Sequence, residues 1–147
     1  MPVHQYAYFV LASDSTPATE ITAALDIEPD RTDVRGSRRT EPRPSPPVHR
    51  WRVECREPGL AVDEQIACVL RRLRPHTDAI AALTNAPDAE ISATLQVVRY
   101  FDDGESRFTE ARWVPTGDFG WHLGRDILDF LQATRAVLDV DEYGTDS

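Results

Sequence analysis

The chain has 147 residues, 41% of them hydrophobic, with 25 acidic against 16 basic residues and a formal net charge of −9. That length favours a single domain whose core needs neither metal nor disulfide, and the charge disfavours nucleic acid as a partner because the field repels phosphate. No apolar run approaches the ~18 residues of a membrane span, and no basic, apolar leader opens the chain, so a cytoplasmic protein away from membranes is expected.

Tyr6 to Ala12 is aromatic and β-branched and reads as a largely buried strand. Ser13 to Thr16 supplies turn and cap residues, and Pro17 stands where a first helical position belongs. Ile21, Ala24 and Leu25 form a helical stripe that ends before Pro29. The stretch 28–48 holds five prolines and Gly36, which disfavour both helix and strand, so a long basic loop is expected.

From His49 to Arg56, Trp51, Val53 and Cys55 alternate with Arg50, Arg52, Glu54 and Arg56, the pattern of a half-exposed strand. Ile66, Val69, Leu70 and Leu73 predict a helix over Val62 to Leu73, and Pro75 restarts a shorter one over Asp78 to Leu83. Ile91 to Phe101 reads as a strand, and Asp102-Asp103-Gly104 predicts a hairpin returning over Ser106 to Val114. Leu123 to Ala133 has the apolar spacing of a helix, Val137 to Asp141 reads as a last strand, and 143–147 as a short disordered tail.

The resulting class is α+β, or mixed α/β. We expect a two-layer sandwich with an about five-stranded, largely antiparallel sheet, helices on one face and a ferredoxin-like split β-α-β character.

Several landmarks coincide in order: YAYFVLASDSTPATEITAALDIEPD at the start, Gly36 in the basic loop, Trp51 opening a strand, then FGWHL, a helix and LDVDEY. Together they resemble a bacterial family known only as domain of unknown function four-two-seven-nine. The resemblance spans nearly the whole chain and implies a small bacterial domain without an assigned activity or catalytic residues. By analogy, many small acidic domains of this kind are toxin-neutralising immunity proteins.

The charge is uneven. From Arg31 to Arg56 there are eight arginines against three acids, whereas 87–147 holds 13 acids against five bases. All 16 basic residues are arginine. Arg31, Arg35, Arg38, Arg39 and Arg43 stand among the prolines and lead to His49 and Trp51. Guanidinium forks suit phosphate or carboxylate, and an aromatic neighbour could stack a base. The competing reading is that this loop lies against the acidic remainder of its own chain.

Asp139 and Asp141 share a strand face at roughly 7 Å and are weak candidates for a hard metal or for hydrolytic acid–base work, with Asp102 and Asp103 as possible companions. A solvated strand that resists aggregation has the same pattern. His49 and His122 could form a general-base site only if folding joined them. Cys55 and Cys68 have no zinc-type spacing. Motifs for a P-loop, a dinucleotide fold or a nucleophile elbow are absent, so no cofactor is expected.

Three functions remain at this point. The first is a non-enzymatic module that binds a basic protein, immunity-protein-like. The second is an anion or nucleotide sensor using the arginine loop, and the third a metal-dependent hydrolase using the C-terminal carboxylates. Exposed edge strands also allow a homodimer.

Overall fold

The computed structural model describes residues 3–88, 90–101 and 120–144. Five strands form one sheet: β1 (Val3–Ser13), β2 (Arg31–Asp33), β3 (His49–Cys55), β4 (Ser92–Phe101) and β5 (Val137–Gly144). Their spatial order is β2-β3-β1-β4-β5, antiparallel throughout except for the parallel pair β4–β5. The helices are α1 (Ala18–Leu25), α2 (Val62–Leu73), α3 (Thr77–Thr84) and α4 (Arg125–Ala133), with one 3-10 turn at Arg74–His76 between α2 and α3.

This order contains two interleaved split units. The β1-α1-β2 unit has β3 inserted between its strands, and the β3-α2-β4 unit has β1 inserted. That is the ferredoxin-like arrangement expected from the element order, extended by β5 through α4.

The alternation of β1 decides which face carries the core. Val3, Gln5, Ala7, Phe9, Leu11 and Ser13 are buried, whereas the residues between them are half-exposed. Phe9 and Leu11 meet Trp51 and Val53 of β3 and Leu95 and Val97 of β4 in one apolar cluster. Helix α2 closes the cluster with Ile66, Val69, Leu70 and Leu73, each burial worth about 1.5–3 kcal/mol. Its start is fixed by Glu64, whose carboxylate accepts the Ala61 N–H at 2.9 Å, half of a capping box. Helix α4 adds Ile127, Phe130 and Leu131, with Phe130 edge-on to Phe9 at 5.5 Å.

Three expectations change, and a fourth falls outside the described residues. Pro17 is the N-cap rather than the first helical residue: it is extended, and its carbonyl accepts the Glu20 and Ile21 N–H groups. The stretch 28–48 contains β2, held to β3 in the register Arg31–Arg52, Thr32–Trp51, Asp33–Arg50. Three polar residues carry no apolar period, so only the main-chain ladder reveals this strand. Residues Tyr143 and Gly144 belong to β5 rather than to a tail, because the ladder to β4 continues to Phe101 and Tyr143 stacks on Tyr100 at 5.0 Å. The expected strand Ser106 to Val114 lies outside the described residues.

The chain leaves α4 through a Schellman-type turn. Arg135 takes a left-handed conformation (φ 56°), and the Ala136 N–H reaches the Leu131 carbonyl at 2.8 Å. This turn aims the backbone directly into β5. Among the described residues, no helix is long and apolar enough to cross a membrane.

Candidate functional site

Among the described residues β5 ends the sheet with no strand on its outer side. A parallel edge strand normally lies under cover, because its free N–H and C=O groups are a template for another chain. Here it is open. Val137 is 61% exposed, Val140 37% and Tyr143 47%, and the adjoining α4 adds Leu128 at 44%. Only Val34 joins them as an exposed large hydrophobic among the described residues.

The register sets Val137, Asp139, Asp141 and Tyr143 on the sheet face away from the helices, and Leu138, Val140 and Glu142 on the helix side. Asp141 accepts a hydrogen bond from Gln96 Nε2 at 3.1 Å. The Tyr143 hydroxyl is raised above its ordinary pKa chiefly by the Asp141 carboxylate, with Asp139 adding to the effect. The edge thus combines apolar side chains, a ladder that ends on its outer side among the described residues, and a negative field.

At the opposite edge the arginine-rich stretch folds back on itself. Gly36 N–H donates to Pro46 O, and Arg38 and Arg39 both donate to Ser45 O, while Ser45 N–H returns a bond to Arg39 O. Gly36 sits at φ +73°, a conformation that would strain a side chain. Arg35 donates from its guanidinium to Asp14 O and from its backbone to His49 Nδ1. Arg39 Nε reaches Arg43 O at 3.4 Å. Among the described residues, Arg31, Arg38 and Arg43 form no ion pair.

The structure separates several candidates that the sequence places side by side. Trp51 is fully buried on the helix side, where its indole Nε1 donates to Thr22 Oγ1 at 3.1 Å. It cannot stack on a ligand held by the loop. His49 opens β3, whereas His122 lies 3.8 Å from Asp63 in the first turn of α2, which follows the other end of β3. The two histidines form no joint site. Asp139 and Asp141 do share a face, but Asp102 and Asp103 lie outside the described residues. No group of three or more metal-type side chains occurs among those described.

Cys55 and Cys68 are free and come together between β3 and α2. The Cys55 thiol is pushed up to about 11, first by burial; the Glu57 backbone N–H opposes the rise and the Cys68 thiol adds to it. At pH 8 about a thousandth of Cys55 would be thiolate. Iodoacetamide at that pH is expected to label the half-exposed Cys68 and leave Cys55 unmodified in the native protein, read by peptide mass spectrometry. Equal labelling would contradict the packing of β3 under α2. The native state also keeps this proton when the unfolded chain releases it, so stability falls as pH rises from 9 towards 11.

One group of residues lay hidden in the sequence. Tyr6, Tyr8, Arg50, Arg52, Glu54 and Arg31 share the sheet face away from the helices, with the Arg52 guanidinium 3.6 Å from the Tyr8 ring centroid and Arg56 4.5 Å from that of Tyr6. The alternation in His49–Cys55 marks Arg50 and Arg52 as outward, but their neighbours on β1 and β2 follow only from the register.

A family model described as domain of unknown function (DUF4279) matches residues 3–145. The chain belongs to that family. Neither a curated protein nor a solved structure matches it. The DUF4279 membership covers both edges of the sheet and brings no activity with it, so the function is argued from the geometry alone.

Proposed function

We propose that the chain is a non-enzymatic protein-binding module, immunity-protein-like in character, which takes a basic partner along the outer edge of β5. The observation that carries this reading is the acidic and partly apolar β5 edge, which among the described residues has no strand on its outer side. An extended segment laid along it would gain main-chain hydrogen bonds from the ladder. Its alternate side chains would meet Asp139 and Asp141 on one face and Val140 on the other. Opposite charge would steer the approach and favour a basic segment.

A second copy fits this edge less well. Two antiparallel β5 strands would set the Asp139 and Asp141 pairs against each other, and like charges across a ladder are destabilising. The module is therefore expected to bind as a monomer.

The test uses two synthetic peptides of equal charge, one alternating arginine and valine, the other of the same sequence with every backbone nitrogen methylated. Only the first can complete a ladder, because the second has no main-chain N–H on either edge. At low salt the first should bind and shift the amide resonances of 137–144, and the double variant Asp139→Arg, Asp141→Arg should weaken it about tenfold or more. Equal binding of both peptides, or shifts confined to other strands, would remove the reading.

A further inference from the structure

The register pairs Arg31 directly with Arg52 across β2 and β3, and Arg50 with Asp33. Like charges in that relation are destabilising unless something lies between them. Among the described residues the available counter-ions are few. Asp33 reaches Arg50 at 3.5 Å. Glu54 is shared between Arg52, at 2.6 Å, and Arg56, at 3.3 Å. The Arg52–Glu54 contact is close but lacks hydrogen-bond alignment, leaving Arg52 Nε and Glu54 Oε1 without a well-formed bond. Asp30, next to Arg31, is turned towards α2, where it takes Arg72 at 2.8 Å and the Glu54 N–H at 2.7 Å.

Among the described residues four guanidiniums, of Arg31, Arg50, Arg52 and Arg56, therefore stand over two carboxylates, a local charge of +2 in a chain of net −9. Arg31, Thr32, Asp33, Arg50 and Arg52 line a small concavity of about 30 Å³ at this place. A concavity of this size suits one compact group. The rings that could have stacked a base are already covered, Tyr8 by Arg52 and Tyr6 by Arg56.

We infer that this strip, centred on Arg31, Arg50 and Arg52, binds a phosphate group. A phosphate dianion matches the excess of two positive charges, whereas a carboxylate would leave one uncompensated. Tetrahedral oxygens also suit guanidinium forks arriving from two strands. The Arg52 fork is held in place for this by the Tyr8 ring beneath it. The site lies on the β2–β3 side of the sheet, remote from β5, and does not depend on the protein-binding reading.

The test titrates inorganic phosphate, phosphoserine and acetate into the protein at constant ionic strength, following the amide resonances of 31–33 and 50–52. Saturable shifts with phosphate, and weaker ones with acetate, are expected. Tighter binding of phosphoserine than of phosphate would identify a phosphorylated side chain as the source, and equal binding the free ion. Arg31→Ala, at an exposed position, should reduce phosphate affinity about tenfold, the scale of one lost charge-assisted bond. The triple variant Arg38→Ala, Arg39→Ala, Arg43→Ala should leave it unchanged, although it removes more charge. Non-saturable shifts matching those of chloride, or an equal loss in the triple variant, would overturn the site in favour of general screening.

Discussion

Replacing Trp51 by alanine is expected to lower the free energy of unfolding by about 3–5 kcal/mol, and replacing it by phenylalanine by about 1–2 kcal/mol. The alanine figure follows from complete burial: the indole lies at 0% exposure in a cluster with Phe9, Leu11 and Val53, and its removal leaves a cavity. The phenylalanine figure is smaller because an aromatic ring remains while the Nε1–Thr22 Oγ1 bond is lost and the hydroxyl is left in a half-buried site. Urea denaturation measures both. Against a total stability of roughly 5–15 kcal/mol for a domain of this kind, the alanine variant loses from about a fifth to all of it. Phosphate binding by the phenylalanine variant should be unaltered. If Trp51→Ala kept full stability but lost ligand binding, the assignment of this residue to the core would be wrong.

Trp51 also shows where sequence reading stops. Along the chain it sits between Arg50 and Arg52, which suggests a shared site. Strand alternation turns it to the opposite face, and that alternation was visible in Trp51, Val53 and Cys55. The period of 3.6 in α2 and α4 was equally legible, since each buries one apolar stripe. In β1 the signal was obscured: Tyr6 and Tyr8 are hydrophobic by type yet lie on the face away from the helices, beneath arginines, so a strand with one half-buried face read as a buried one. The like-charge pair Arg31–Arg52 spans 21 positions of chain and exists only through the β2–β3 register. The edge status of β5 is likewise a property of strand order. Its sequence alternates apolar and acidic residues as any solvated strand does, and only the strand order places it last in the sheet among the described residues.

What holds that edge in place is a polar network at one end of the sheet, and disrupting it should have the second large effect. Arg99 is buried on the helix side of β4, donating from Nε to Gln5 Oε1 at 3.2 Å and from Nη1 to Glu142 Oε2 at 3.1 Å. Gln5 in turn donates to Leu60 O at 2.8 Å, and Gln65 of α2 donates to Gln5 O at 2.9 Å. These bonds tie β1, β4, β5 and α2 together. Arg99→Ala is expected to cost about 2–4 kcal/mol, combining lost packing of the side-chain stem with an orphaned Gln5 acceptor. Glu142→Gln should cost less, about 1 kcal/mol, because half of the Glu142 side chain is in solvent and its charge is screened there. In the double variant the two costs should fall short of their sum, since both report on one ion pair. The Glu142→Gln protein also separates folding from function. Its amide exchange should quicken in 140–144 while β1 and β3 stay protected, and its affinity for the arginine–valine peptide should fall in step with that local loosening. Uniform exchange across the sheet would mean that β5 is anchored elsewhere than through Arg99.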